Sequence, residues 1–132
     1  MSETPADERL RPPPVDRFAG PAHQFDLDEV ARELRSEEHP ARNGHRQMTI
    51  FQRDHITHVV FAFEAGGRLP EHSAPGLVTI HAHQGRIEVA ADGRDHDLGP
   101  GQVLVLAPNV KHDVRAREPS VMLLTVHVPS QR

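Results

Sequence analysis

Turn signals at regular spacing are the feature that most constrains how this chain can fold. Between residues 66 and 112, short apolar runs alternate with turn sequences at Ala74-Pro75-Gly76, Gly85, Asp92-Gly93 and Gly99-Pro100-Gly101. Strands of about five or six residues divided in this way are typical of an all-β sandwich or barrel. The sequence therefore predicts a β-barrel of about eight to ten strands.

One short helix is predicted before the strands. Asp26 can cap its start, and Glu29 follows three residues later, as in a capping box. Pro40 disfavours helical backbone at the residue before it, so we expect the helix to end near Glu38. The apolar residues at helical spacing between these points are Leu27, Val30, Ala31 and Leu34.

The chain divides into an arm and one domain. Residues 1–24 hold five of the 12 prolines among charged residues, which indicates a disordered or extended N-terminal arm. Residues 25–132 are enough for one domain. The N-terminus lacks the apolar stretch of a signal peptide, and no run approaches the ~18 apolar residues of a membrane helix. We expect a cytoplasmic protein that does not enter a membrane.

The composition of the chain argues against several classes of function. The net charge is -4, and aromatic residues make up only 4%, with no Trp and no Tyr. Neither a basic patch nor stacking platforms are indicated, so nucleic acid is not an expected partner. The chain has no Cys, which excludes disulfides and thiolate chemistry.

The run Ile56–Glu64 has two apolar faces. Val59, Phe61 and Phe63 share one face, and the residues on the other are His58, Val60, Ala62 and Glu64. Such a strand is expected to lie between the core and a second cover. A second subunit is one such cover, which favours a homodimer.

Histidine is the compositional outlier, with 11 residues. Histidine titrates near neutral pH and is the commonest metal ligand in proteins. His72 opens the stretch of strands and His112 closes it, and in a closed β-barrel two such residues can meet on one inner wall. This pair is the main candidate site.

The spacing around these histidines matches a family pattern. Gly66 is followed by five residues, then His72, with a closing Gly85, and residues 101–112 contain a Gly, an apolar strand, a Pro, a turn and a His. Over residues 45–128 the chain resembles the cupin superfamily. The resemblance implies a double-stranded β-helix, or jelly-roll barrel, with one short N-terminal helix added.

The chain departs from the cupin pattern at the metal ligands. The second His of the first motif is Ala74, and the Glu position is Val78, so only His72 and His112 match the usual four ligand positions. The chain is most similar to a subset of small bacterial cupins with no firmly assigned reaction, and the residues that carry this similarity are Glu71-His72-Ser73-Ala74-Pro75-Gly76, Thr79, Gly85 and Leu123-Leu124-Thr125-Val126. The resemblance implies one divalent metal (Zn, Fe, Mn or Ni), or none.

A third ligand would have to come from elsewhere, and His81 is the candidate. Non-haem iron sites use two His and a carboxylate, and catalytic zinc usually has three protein ligands. In a regular strand, however, His81 and His83 point away from the face that holds Val78. Only a bulge would turn His81 towards the barrel interior.

Three functions remain open from the sequence. The first is a module that binds a small organic ligand through His72 and His112, in a barrel lined by Phe61, Phe63, Leu77, Ile80 and Leu104. The second is a metal-dependent isomerase, lyase or dioxygenase acting on a small organic acid or sugar. The third is a non-catalytic oligomeric or structural protein.

Overall fold

The computed structural model describes residues 17–129, which form one helix and nine strands. No helix within this range is long and apolar enough to cross a membrane. The predicted all-β fold with one short N-terminal helix is confirmed. The elements are α1 (Leu27–Arg35), β1 (His45–Arg53), β2 (Ile56–Phe63), β3 (Arg68–His72), β4 (Leu77–Gln84), β5 (Ile87–Ala91), β6 (Arg94–Leu98), β7 (Val103–Leu106), β8 (His112–Ala116) and β9 (Ser120–His127).

The strands form two antiparallel sheets that face each other as a jelly roll. The five-stranded sheet has the order β1-β2-β9-β4-β7, and the four-stranded sheet has the order β3-β8-β5-β6. Strands β1 and β3 are edge strands of different sheets, and these edges are adjacent. Near them, the backbone N–H of Arg68 donates to the carbonyl of Asn43 at 2.8 Å. Strands β6 and β7 meet at the opposite edges.

The predicted turns are present and have the required backbone. Asp92 and Gly93 both take positive φ, 54° and 73°, which is the two-residue turn that matches the twist of a hairpin. Gly101 has φ 87° and the N–H of Gln102 bonds the carbonyl of Gly99, so Pro100 sits in the turn position that suits its fixed φ.

The core between the sheets follows from strand alternation. Its inner positions carry apolar side chains from seven strands of the two sheets, so the barrel interior is closely packed. The buried members are Val59, Phe61, Phe63, Val78, Ile80, Ala82, Ile87, Val89, Ala91, Leu98, Leu106, Val114, Ala116, Met122 and Leu124.

Helix α1 begins where its sequence predicts. The Asp26 carboxylate accepts hydrogen bonds from the backbone N–H groups of Asp28 and Glu29, at 3.0 and 3.2 Å. The helix ends at Arg35, three residues before the predicted end at Glu38. Ser36 closes it, because its hydroxyl donates to the carbonyl of Glu33 at 2.8 Å and satisfies one of the last carbonyl groups.

The outer face of β2 is covered by α1. Val60 and Ala62 are 0% and 5% exposed and belong to a second apolar cluster with Leu34, which is 0% exposed. The other buried members are Ala31, Ile50 and Val121. The second cover predicted for this strand is therefore a helix of the same chain, and this face does not need a partner subunit.

Part of the predicted arm lies on β1. Phe18 is buried and its ring lies 5.4 Å from that of Phe51. The Nη1 atom of Arg53 donates to the carbonyl oxygens of Phe18 and Gly20, at 2.7 and 2.9 Å. Residues 1–16 of the arm lie outside the described residues.

The packing of α1 gives a first prediction. Substituting Leu34→Ala removes a fully buried side chain and leaves a cavity between helix and sheet, so the free energy of unfolding should fall by about 2–5 kcal/mol. Urea denaturation followed by circular dichroism measures this change. The exposed neighbour Glu33→Ala is the control and should change stability by less than about 0.5 kcal/mol. An equal effect of both substitutions would contradict this packing.

Candidate functional site

A bulge in β3 brings the two candidate histidines together. Leu69 pairs with Val114, but His72 pairs with His112, so β3 contains one extra residue between these two pairs. Because Leu69 packs against the core, regular alternation would turn Glu71 inward and His72 outward. The extra residue reverses this order and places His72 on the inner face beside His112.

Pro70 lies within the bulge. Proline has no backbone N–H for a ladder hydrogen bond, and it is tolerated at bulges and on edge strands such as β3. The local sequence is therefore compatible with the change of register at this point. The position of His72 depends on this change.

The two imidazoles are in contact and have the same tautomer. Their ring centroids are 4.1 Å apart and their planes are inclined by 59°. Nδ1 of His72 lies 2.9 Å from the carbonyl oxygen of Pro70, and Nδ1 of His112 lies 3.0 Å from that of Val110. A carbonyl oxygen only accepts, so both Nδ1 atoms carry hydrogen. In each neutral ring Nε2 then carries the lone pair and can accept a hydrogen bond.

The acceptor on His112 is buried and unpaired. His112 is 1% exposed, and its Nε2 has no hydrogen-bond partner among residues 17–129. Burial lowers the pKa of His112 below 6.5, and its bond to the Val110 carbonyl opposes this shift. An unpaired buried acceptor is costly for a fold, and such groups often mark the place where a ligand binds.

The apolar residues predicted to line the barrel have three different positions. Phe61, Phe63 and Ile80 are buried members of the core, 4%, 1% and 0% exposed. They form a packed floor, while Leu104 is partly buried against it. Leu77 is 44% exposed and lies on the outer face, because it alternates with the buried Val78. The structure does not bring Leu77 to the interior.

His81 also lies away from the pair. Ile80 and Ala82 on either side of it are buried inside the barrel, so the side chain of His81 points outward. Strand β4 does contain a register shift, but it lies between Ala82 and Gln84, beyond His81. The bulge that a third ligand from His81 requires is therefore in the wrong place, and the structure does not join His81 to the pair.

His83 has a structural partner instead. Its Nε2 lies 2.8 Å from the Asp28 carboxylate, which also accepts a hydrogen bond from Gln84. These bonds, with His83 first, lower the pKa of Asp28 and connect α1 to β4. Within residues 17–129 no three His, Cys, Asp or Glu side chains are grouped so that they could hold a metal ion.

A cavity that sequence reasoning missed lies outside the barrel. We call it the outer pocket; it has a volume of about 470 Å³ and lies on the outer face of β1, β2 and β9. It is lined by Pro21, Ala22, His23, Phe25, Leu27, Ile50, Phe51, Arg53, His58 and Leu123. Its residues come from distant segments, so no local motif marks it. The one available signal was that three of the five Phe residues precede β2.

His58 lies at the base of this pocket and gives a second prediction. Its Nδ1 is 3.0 Å from the hydroxyl oxygen of Thr125, and burial lowers its pKa below 6.5. As the pH falls through 6.5, His58 becomes protonated in the unfolded chain, while in the folded chain it stays neutral until a lower pH. The free energy of unfolding should therefore decrease from pH 6.5 down to the folded pKa.

Urea denaturation between pH 7.5 and 5 tests this in wild type and in His58→Gln, which keeps a polar group near Thr125. The substitution should reduce the acid-dependent loss of stability. His127→Gln, at an exposed end of β9, is the matched control and should leave most of the loss in place. Identical pH profiles for wild type and His58→Gln would show that burial does not disfavour the charged ring.

Comparison with known proteins agrees with the fold. Residues 59–128 match the family model described as "Cupin domain". No curated protein matches the chain. Among solved structures, a conserved protein of unknown function from Streptococcus pyogenes is 25% identical, with a TM-score of 0.67, and the match covers 83% of this chain and 90% of that one.

Two further structures are similar in fold. A cupin superfamily protein from Desulfitobacterium hafniense is 23% identical with a TM-score of 0.63, over 70% of this chain and 84% of that one. Salicylate 1,2-dioxygenase from Pseudoaminobacter salicylatoxidans is 15% identical with a TM-score of 0.67, over 80% of this chain but only 32% of the dioxygenase. At these identities the likeness extends to the fold alone.

Proposed function

The chain belongs to the cupin family, and from this premise we propose that His72 and His112 bind a small organic ligand at the rim of the barrel. The observation that carries the proposal is the buried Nε2 of His112, which has no partner among residues 17–129. His72 is half-buried, so a ligand can reach the pair from its side. Two neighbouring acceptors then face the same bound molecule.

The surroundings of the pair define the ligand chemistry. Neutral Nε2 atoms accept hydrogen bonds, so the ligand should carry a hydroxyl or amino donor. Ala91 lies across from His112 in the sheet, and Leu69 and Val114 lie beside the pair on the same inner face. The floor below is filled by Phe61 and the other core residues. A small, partly apolar molecule bound above this floor fits these conditions.

A divalent metal is the second way to satisfy the pair. Cupins often bind one, and neutral imidazoles with Nδ1 bonded to carbonyls are suitable donors through Nε2. The donor chemistry fits, but the number does not, because residues 17–129 supply no third ligand at this place. A metal-dependent enzyme remains the alternative function, and we assign no chemical step to a metal.

The third prediction separates these functions. Protein purified without a His-tag or added metal should hold well under one metal ion per chain. It should bind at least one member of a panel of small hydroxylated and amino compounds, detected by ligand-observed NMR. His72→Ala and His112→Gln should each weaken that binding by about tenfold or more, since each removes an Nε2 acceptor from the pair.

His81→Ala is the matched control, because His81 lies on the outer face and should not affect binding. Stoichiometric metal that is lost in both variants of the pair would favour the enzyme. Unchanged binding in His72→Ala and His112→Gln would exclude the pair as the ligand site. A folded state confirmed by circular dichroism is required for each variant, above all for the buried His112.

We also propose that the chain forms a homodimer through the outer face of β4 and β7. Leu77, Val103 and Val105 are 44%, 51% and 56% exposed, and β7 is the edge strand of its sheet. Val105 pairs with Thr79 and Val103 with His81, so the apolar side chains form one patch. Exposed apolar patches at a sheet edge favour self-association around a two-fold axis.

The fourth prediction follows from this patch. Light scattering should give the mass of a dimer for wild type and of a monomer for Val105→Lys, because a charge would lie in a desolvated contact. Arg94→Lys, on the exposed edge strand β6, is the control and should remain a dimer. A monomeric wild type at about 100 μM would contradict the proposal, since stable dimers persist at that concentration.

A further inference from the structure

The outer pocket is built from segments far apart in the chain. The stretch from Pro21 to Leu27 forms one wall, and the outer faces of β1, β2 and β9 form the other. Its volume of about 470 Å³ falls within the range of small-molecule sites, roughly 300–1,000 Å³. The five-stranded sheet separates it from the barrel interior, so it is independent of the His72–His112 pair.

The wall of the outer pocket is aromatic and held in place. The ring of Phe51 lies 5.4 Å from Phe18, 5.3 Å from His23 and 5.9 Å from His58, with tilted or edge-on geometry in each case. These contacts fix its orientation. Phe25 remains 41% exposed. A flat apolar molecule placed here would cover aromatic surface that now faces water.

One fixed cation lies at the edge of this wall. The guanidinium of Arg53 is 5.5 Å from the centre of the Phe51 ring, and its Nη1 is bonded to the carbonyls of Phe18 and Gly20. Its hydrogen bonds within residues 17–129 use Nη1, which leaves the Nη2 hydrogens for a ligand. A guanidinium held in this way is well suited to a carboxylate.

The charge around Arg53 is otherwise favourable to an anion. Its Nε lies 3.5 Å from the carboxylate of Asp54, but that carboxylate is 85% exposed, so the ion pair is weak and a ligand can compete with it. No acidic residue is among the described residues that line the outer pocket. His23 and His58 add two rings that can donate hydrogen bonds.

We propose that the outer pocket is a second binding site, for a small aromatic carboxylate. The ring of the ligand lies against Phe51 and Phe25, and its carboxylate accepts hydrogen bonds from Arg53. The aromatic wall supplies apolar contact and the guanidinium supplies the charge, which together distinguish an aromatic acid from a neutral aromatic molecule. The site is non-covalent and requires no cofactor.

The test uses 1-naphthoate as the probe, with its methyl ester as a neutral isostere. Isothermal titration of the wild-type protein should show saturable binding of the acid and at least about fivefold weaker binding of the ester. In ¹H–¹⁵N NMR spectra the largest shifts should fall on the backbone of residues 50–58 and 123. Arg53→Gln should weaken binding of the acid by about tenfold and leave that of the ester nearly unchanged.

Three further variants establish whether the probe occupies the outer pocket. Ala22→Phe fills the outer pocket from an exposed position and should abolish binding of both probes without unfolding the protein. His72→Ala, in the barrel, and Arg115→Gln, at an exposed position of the other sheet, should bind 1-naphthoate like wild type. The proposal is overturned by any of three results: no saturable binding, equal affinity of wild type and Arg53→Gln for the acid, or loss of binding in His72→Ala.

Discussion

The register of one short edge strand determines what this barrel presents at its rim. The extra residue between Leu69 and His72 turns an imidazole inward in place of the Glu71 carboxylate. Each histidine of the resulting pair then bonds, through Nδ1, the carbonyl two residues earlier in the chain. This shared local bond fixes both rings and leaves both Nε2 atoms directed away from the backbone. The ligand chemistry proposed for the site depends on that arrangement.

Two apolar residues, Ala74 and Val78, stand at the positions of usual cupin metal ligands, and they also favour a neutral histidine pair. Val78 is 3% exposed in the core, and Ala74 packs against that core. Apolar side chains at these two positions remove donors that a metal would need. They also keep water away from the interior, and burial disfavours the charged form of His112. The apolar residues at positions 74 and 78 therefore weaken a metal site. They also favour a neutral His112, whose Nε2 can accept a hydrogen bond from a ligand.

The sequence predicted what depends on neighbouring residues and missed what depends on distant ones. Alternation in β4 correctly placed His81 outside the barrel, and the positive-φ turns gave the hairpins. The same alternation places Leu77 on the outer face with His81, so the prediction that Leu77 lines the barrel did not follow from the strand pattern. The meeting of His72 and His112 was predicted from the expected closed barrel, but the bulge that produces it was not. Likewise, two apolar faces on β2 correctly indicated a second cover, but only the tertiary structure identifies it as α1.

The two proposed sites lie on different sheets: the His72–His112 pair is on the inner face of the four-stranded sheet, and the outer pocket is on the outer face of the five-stranded sheet. In β2, Val59 faces the barrel interior while His58 faces the outer pocket, and in β9 Leu124 and Leu123 divide in the same way. A slip of β2 by one residue would exchange these faces, turn His58 into the core and move Phe61 and Phe63 beneath α1, where Val60 and Ala62 now pack. The larger Phe rings would overpack the cluster under α1, which costs about 1–3 kcal/mol, and would leave a cavity in the core. Because apolar packing holds β2 on both faces, each site can be altered by substitution on its own side without moving the other.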